Sequence, residues 1–266
     1  MYYLHVWRPP LQVAKCIFKG MRRSNFVVLP GSVIMMLMSQ WVDAQMIFNS
    51  NPSSPFGHAP NIPTDTNYAF SKQLVANTKS LIHPGSITKD SLSGLFSDLL
   101  TKHIIPHWLS TPWSFEGHTA VPREGTIACG YFVSTTLRDM GFNLNRYTFA
   151  QQLPVNEAKT LSMGKVLIEI NNPSTAERIQ QLQTHLQEGI YFIGFDQSHV
   201  GYIHKKNGEL FVIHSNYINA EGVVNERIED SEVFSYYTRI YIAEISTNRD
   251  LLKKWLGNEP IYVVTE

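Results

Sequence analysis

The chain has few cysteines and no excess of charge of either sign. Its 266 residues include two cysteines, Cys16 and Cys129, while Lys+Arg and Asp+Glu both number 22. The balanced charge gives no indication of a nucleic-acid partner. Internal repeats and low-complexity tracts are also absent. The 43% hydrophobic content is that of an ordinary globular protein able to bury a core.

The N-terminal segment has the organisation of a signal peptide. Arg22 and Arg23 follow Met21, an apolar run covers residues 26–38, and the small residues Val42 and Ala44 match a signal peptidase site. The alternative is an uncleaved membrane anchor, but the apolar run is short for a bilayer. We therefore predict cleavage after Ala44, a true start at Met21, and a periplasmic or secreted protein with no stable membrane span.

Cleavage would leave Cys129 as the sole cysteine of an exported protein. Removing residues 1–44 takes away five basic residues and one acidic residue, which leaves 17 against 21 and a net charge of −4. A single cysteine cannot form an intramolecular disulfide. In an oxidising compartment such a residue is a candidate reactive thiol.

The pattern of the remaining chain changes from helical to extended. Residues 45–66 are rich in Pro, Asn and Ser and are predicted to be a linker. Residues 67–105 are predicted to be a helical extension and 106–266 the catalytic domain. Helical spacing is found at 68–82, 90–104, 127–140 and 175–189, and strand patterns follow at 190–196, 199–205, 210–216 and 236–246, with a short helix at 248–257. Helices followed by an antiparallel sheet predict an α+β fold.

Cys129 has two interpretations. It shares a helix face with Phe132, Val133 and Leu137, which is typical of a buried packing residue. It also lies in the first turn if Thr126 caps the helix, where free backbone N–H groups favour a thiolate and an oxyanion. The residues of this helix alone do not decide between the two. A nucleophile here should have a thiol pKa below the usual value of about 8.5.

The strands supply candidate partners for the thiol. Asn207-Gly208 is a strong hairpin signal, and a two-residue loop pairs Lys206 with Glu209. This register places His199, His214 and Asn216 on one sheet face, with Asn216 directly opposite His199 and His214 diagonal to it. The alternative is a polar face toward solvent, because the residues between them are apolar and indicate that the other face is the buried one.

A metal site is the competing prediction. His103 and His107 are four residues apart, but Pro106 between them would disturb the helix that aligns them. The stretch also lacks the Glu of the zinc-protease helix motif. We therefore predict no metal ligand set and no cofactor.

Taken together, four motifs resemble the papain-like cysteine hydrolases of the NlpC type and the related cysteine, histidine-dependent amidohydrolases/peptidases (CHAP). The motifs are "PWSFEG" at 112–117, "ACGYFV" at 128–133, "HVGYI" at 199–203 and "VIHSN" at 212–216. They occur in the order of that family, with the cysteine helix before the histidine strands. The resemblance covers about residues 110–217 and implies a papain-like fold.

The resemblance also implies roles for individual residues. Cys129 would be the nucleophile, His199 the general base and His214 the group that orients it, with Asn216 as the alternative. Trp113 falls where the family has a Tyr that assists at the oxyanion site. The implied activity is that of an exported cysteine peptidase or amidase, and the implied substrate is an amide bond of cell-wall peptidoglycan.

Two positions depart from the NlpC pattern. Ala128 stands where the family usually has Asp, and Gly130 stands where it has Ser. Those residues grip the free amino end of a peptidoglycan stem peptide, and in their absence the motif is closer to the CHAP pattern. Two alternatives therefore stay open: a hydrolase or transferase of the same fold acting on another amide or ester, and a non-catalytic exported binding protein.

Overall fold

The computed structural model describes residues 68–83 and 87–265. The predicted signal peptide and linker lie outside these residues. The described helices are α1 (Tyr68–Leu81), α2 (Lys89–Asp98), α3 (Ile105–Trp108), α4 (Cys129–Asp139), α5 (Arg146–Ala150), α6 (Pro154–Ser162), α7 (Thr175–His185), α8 (Glu232–Tyr236) and α9 (Arg249–Gly257). A π-helical segment, Leu99–Ile104, joins α2 to α3, and short 3-10 turns cover Ile218–Ala220 and Ile228–Asp230.

The central feature is a six-stranded sheet in which all neighbouring strands are antiparallel. Its strand order is β2-β7-β3-β4-β5-β6. The strands are β2 (Ile168–Asn171), β3 (Gly189–Phe195), β4 (His199–Lys206), β5 (Glu209–Asn216), β6 (Gly222–Arg227) and β7 (Arg239–Glu244). A separate parallel pair joins β1 (Asn143–Leu144) to β8 (Pro260–Ile261).

Helices cover both faces of this sheet, which is why β3 reads as a continuous apolar run and is buried along its whole length. One core cluster lies between the sheet and helices that include α4 and α9, with Phe132, Phe192 and Trp255 among its members. The other lies on the opposite face against α7 and α8, with Leu182 and Phe234. The combination of helices with an antiparallel sheet agrees with the predicted α+β class.

The first core cluster also draws side chains from α1, α2 and the π-helical segment. Val75, Phe96 and Leu100 are buried in it together with Phe132 and Trp255. The predicted helices at 68–82 and 90–104 are therefore present, although the second changes to π-helical pairing at Leu99.

Several elements were absent from the sequence prediction. Helix α6 and strands β2 and β6 are the main ones, and two of them carry residues that matter for the site below. Among residues 68–83 and 87–265, no helix is long and apolar enough to cross a bilayer.

Candidate active site

The helix that carries Cys129 starts at residue 129, two residues later than the predicted start at residue 127. Cys129 is the first residue of α4, and Ala128, in extended conformation, occupies the N-cap position without a side-chain cap. Thr126 was predicted to be the cap, which is wrong. Its hydroxyl instead lies 2.8 Å from the hydroxyl of Ser114 and closes the preceding loop.

Backbone hydrogen bonds hold the start of α4 against the sheet. The N–H of Ile127 donates to Pro112 at 2.9 Å, and the N–H of Ala128 donates to Gly117 at 2.8 Å. From strand β5, the Ser215 hydroxyl donates to the Ile127 carbonyl at 2.7 Å. The nucleophile candidate is thus fixed by a loop and a strand rather than by a capping side chain.

Gly130 is required by close packing. A Cβ at this position would lie 2.7 Å from the carbonyl oxygen of Ala150 at the end of α5. The Ser that the NlpC pattern has here would clash with that backbone. The departure at Gly130 therefore has a local structural cause.

Three backbone N–H groups point at the sulfur of Cys129. They belong to Val200 on β4 and to Gly130 and Cys129 itself on α4. Cys129 is partly exposed as a residue and packs against the first core cluster. Burial nevertheless raises the pKa of the Cys129 thiol to about 11, and the three N–H groups oppose this rise without cancelling it.

This direction is opposite to the expectation from the helix position. The sequence predicted a thiol pKa below the usual value because of the helix start. The structure surrounds the sulfur with apolar residues of the first core cluster, and desolvation disfavours the thiolate more than the N–H groups favour it. The resting sulfur is a neutral thiol.

The hairpin has the predicted register. Lys206 pairs with Glu209, and the ladder continues to the pair of Tyr202 with Ile213. Gly201 lies against His214, because a Cβ on Gly201 would come within 2.8 Å of the Cβ of His214. Only glycine permits this approach. It lets the two histidine-bearing strand ends lie close together.

His199 and His214 are joined by a direct hydrogen bond. Nε2 of His199 lies 2.8 Å from Nδ1 of His214, and Nε2 of His214 lies 3.1 Å from Oε1 of Glu226 on β6. Both rings are buried, with 1% and 0% exposure. The alternative of a solvent-facing polar surface is therefore wrong for these two residues, because α8 and the chain around it cover this face of the sheet.

The carboxylate of Glu226 determines the tautomers of this chain. Burial alone would raise the pKa of Glu226, but hydrogen bonds from His214 and Ser231 bring it below the ordinary value, so the group is ionised and only accepts. When His214 carries a single proton, this carboxylate fixes it on Nε2, which leaves Nδ1 as an acceptor. Nε2 of His199 donates to it, and Nδ1 of His199 remains free of a proton.

His199 is also kept neutral by its surroundings. Burial is the main cause that holds the pKa of His199 well below its ordinary value. Repulsion between the two rings when His214 is also protonated is the second cause. The ring packs edge-on against Tyr217, with centroids 5.3 Å apart. The resting pair is therefore a neutral imidazole and a neutral thiol.

Asn216 does not lie opposite His199 as predicted. The ladder between β4 and β5 ends at Tyr202 and Ile213, before Asn216 is reached. On the other edge of β5, the pairing with β6 continues to the pair of Asn216 with Gly222. The side chain of Asn216 donates to Glu221 at 2.7 Å and accepts from the N–H of Ile218 at 2.9 Å. It stabilises the turn after β5 and has no hydrogen bond with His199.

Trp113 lies on the loop before α4. Its ring is 6.2 Å from that of Tyr217, which packs on His199. Within residues 68–83 and 87–265, no group accepts a hydrogen bond from its indole N–H. Trp113 and His199 thus both lie next to the ring of Tyr217.

The sequence analysis missed two carboxyl groups near the site. Glu226 lies on β6, which was not predicted; the only signal was the short Val223-Val224 run. Glu157 lies on α6, is 1% exposed, and has an oxygen, Oε2, without a hydrogen-bond partner in the described residues. Burial raises the pKa of Glu157 well above its ordinary value, so this group is protonated.

The competing metal site does not form in the described part of the chain. His107 lies 2.9 Å from the hydroxyl of Ser71 through its Nε2. Among residues 68–83 and 87–265, no three His, Cys, Asp or Glu side chains are grouped as metal ligands would be.

Comparisons of this chain with protein-family models, with curated proteins and with solved structures find no match. The site is therefore interpreted from its own geometry.

Proposed function

We propose that this protein is an exported cysteine hydrolase with a papain-like fold that cleaves an amide bond. Cys129 is the nucleophile, His199 the general base and His214 the residue that orients the base. The most fitting substrate class is a peptide amide of cell-wall peptidoglycan. The resemblance of the four motifs to the NlpC-type and CHAP enzymes supports this assignment of fold and class.

The observation that carries the proposal is the hydrogen-bonded chain from buried His199 through buried His214 to partly exposed Glu226, with distances of 2.8 and 3.1 Å. A purely structural pair of histidines does not need a fixed tautomer, whereas a general base does. The sulfur of Cys129 accepts a hydrogen bond from Val200, the residue directly after His199. This contact brings the sulfur to the end of β4 that carries His199, and it supports the pairing of Cys129 with His199 as nucleophile and base.

Neutral resting groups give the proton a defined path. As the sulfur attacks the carbonyl carbon, the thiol proton passes to Nδ1 of His199, the nitrogen left unprotonated by the chain to Glu226. The C–N bond then breaks and His199 returns the proton to the leaving amine. Water hydrolyses the thioester with His199 again acting as base, which releases the acid and restores the thiol.

Donors for the developing oxyanion are available at the start of α4. The backbone N–H groups of Cys129 and Gly130 point toward the sulfur, and a helix start concentrates such unpaired donors. The indole N–H of Trp113 supplies a side-chain donor on the preceding loop.

A second candidate, a hydrolase or transferase acting on a different amide or ester, is favoured by Ala128. The acidic residue that would hold a free amino group is absent at this position. Glu157 lies near enough for an ionised carboxylate to raise the pKa of the Cys129 thiol, but burial raises the pKa of Glu157 itself, so the group is protonated. The site thus favours an uncharged acyl group beside the sulfur.

The full chain and its Cys129→Ala and His199→Ala variants would be incubated with peptidoglycan fragments, and the products identified by mass spectrometry. We expect cleavage by the parent chain and loss of at least about a thousandfold in both variants. The matched control is His204→Ala, which removes a ring from the opposite face of β4.

Cleavage that persists in folded Cys129→Ala would contradict the proposal. If the parent chain cleaves no fragment but forms an acyl-enzyme with simple thioesters, the second candidate is the correct one. An inert thiol toward both would leave the binding-protein alternative.

A further inference from the structure

Three hydroxyl groups form a chain beside His199. The Ser198 hydroxyl lies 2.7 Å from that of Tyr237, which lies 3.2 Å from that of Tyr217. The Tyr217 ring packs on His199. All three side chains belong to partly exposed residues at the open end of β4, so a ligand can reach them.

The three linked hydroxyls have one more donor proton than the hydrogen bonds between them use. Three hydroxyls carry three protons, and two hydrogen bonds between them use two. Among residues 68–83 and 87–265, no other group accepts from any of the three. Whichever way the bonds run, one O–H therefore remains available to a bound molecule or to solvent.

These hydroxyls stay protonated near the reacting sulfur. Burial first, with the neighbouring tyrosines adding to it, raises the pKa of Tyr217, and burial raises that of Tyr237. Charge on Cys129 contributes to both shifts, which places the two phenols within electrostatic range of the sulfur. They therefore act as donors rather than as bases.

A nearby carboxyl group, that of Asp196, selects against an anionic ligand. Asp196 lies close enough to Tyr237 to raise its pKa further. A carboxylate or phosphate placed on the free hydroxyl would meet this negative charge. An uncharged acceptor, such as a carbonyl or hydroxyl oxygen, meets no such repulsion.

We infer that Ser198, Tyr237 and Tyr217 form a substrate subsite that donates a hydrogen bond to an uncharged oxygen on the leaving half of the substrate. Tyr217 of this subsite packs on His199, the group that must give the leaving group its proton. This inference rests on the proposed acyl transfer to Cys129. It adds a requirement on the substrate that the nucleophile and its base do not impose.

Two acetyl thioesters test the subsite. S-acetyl-N-acetylcysteamine has an amide carbonyl in its leaving group, and S-propyl thioacetate has only an alkyl chain. With either, a bond forms between the Cys129 sulfur and the acetyl carbon, the thioester C–S bond breaks, and the leaving thiol takes the proton from His199. Acetylation of Cys129 in the full chain would be timed by mass spectrometry, normalised to each thioester's reaction with free cysteine.

We expect the parent chain to prefer the carbonyl-bearing donor by about threefold to tenfold, the value of one hydrogen bond. Tyr217→Phe and Tyr237→Phe should abolish this preference. Tyr262→Phe is the matched control. It removes a hydroxyl from an exposed ring that is not part of the hydroxyl group network of Ser198, Tyr237 and Tyr217, and it should keep the preference.

Equal rates for the two thioesters in the parent chain, or a preference that survives in both Phe variants, would overturn the inference while leaving Cys129 as a nucleophile. Alkylation of Cys129 by iodoacetamide without acetylation by either thioester would instead contradict the proposed acyl transfer, and the inference with it.

Discussion

Two glutamates near the site, Glu226 and Glu157, have opposite ionisation states. Glu226 on β6 accepts hydrogen bonds from His214 and Ser231, which lower its pKa despite burial. Glu157 on α6 has no comparable partner, and burial raises its pKa well above the ordinary value. The same carboxyl group is thus an anion on one side of the sheet and a neutral acid on the other.

The comparison shows that depth and partners together decide the charge, because Glu157 is 1% exposed and Glu226 is 24% exposed. A buried carboxylate keeps its charge where donors replace the lost water. The His199 to Glu226 chain is a polar path in which each member is satisfied, while Oε2 of Glu157 has no partner in the described residues. Removing a member of the first region should therefore cost activity, and changing the second should alter stability.

The largest effect on activity after loss of the nucleophile or base is expected for His214→Ala. Without His214, the ring of His199 loses the acceptor that holds its tautomer. Turnover should fall roughly tenfold to a thousandfold, and thermal stability should fall as well, because His214 is fully buried and hydrogen-bonds Glu226. His204→Ala, on the opposite face of the same strand, is the control. Unchanged turnover in folded His214→Ala would mean that Cys129 and His199 act as a dyad.

A smaller loss is expected for Glu226→Gln. The amide oxygen can still accept from Nε2 of His214, but without charge, so the tautomers are no longer dictated. Turnover should fall about tenfold. The parent's stability from this residue is present above its ordinary pKa of 4.5 and is lost as pH falls below it; the variant should lack that acid-dependent loss.

The matched control for this measurement is Glu229→Gln, an exposed glutamate that pairs with Arg227. Urea unfolding at several pH values would follow both variants. An identical acid dependence in the parent and in Glu226→Gln would show that His214 does not hold an ionised carboxylate.

Glu157→Gln should stabilise the protein by about 1–3 kcal/mol at neutral pH. The native pKa is raised, so the native state keeps a proton that the unfolded chain loses above its ordinary 4.5. Stability from this group is therefore complete at low pH and falls as pH rises above that value. The variant should lack this fall, and exposed Glu169→Gln is its control.

The alkylation rate of Cys129 gives a second measurement on Glu157→Gln. Because the native acid is already neutral, its replacement by an amide should change the rate with iodoacetamide at neutral pH by less than about twofold. A large acceleration would mean that Glu157 carries charge in the native state, and the comparison with Glu226 would then be wrong.

The smallest effect on turnover is expected for Asn216→Ala. Its hydrogen bonds go to Glu221 and to the N–H of Ile218, away from His199. Turnover should fall by less than about threefold, while the free energy of unfolding falls by about 1–2 kcal/mol. A turnover loss greater than that of His214→Ala would reverse the assignment of the orienting residue.

Short sequence patterns were sufficient to predict features that depend only on neighbouring residues. The Asn207-Gly208 turn predicted the pairing of Lys206 with Glu209, and strand alternation then placed His199 and His214 on one face. The same reasoning failed at Asn216, because the ladder between β4 and β5 ends at Tyr202 and Ile213. Turn chemistry specifies the start of a hairpin, but it does not specify how far along the strands the pairing continues.

The sequence by itself determined the order of the motifs, the α+β character, the position of Cys129 near a helix start and the hairpin register. These follow from periodicity and turn residues within short stretches. Only the tertiary structure decided that Glu226 reaches His214, that Glu157 is buried without a partner, and that the Cys129 thiol is neutral at rest. Such properties depend on desolvation and on contacts between strands and helices distant in the chain, which no local pattern specifies.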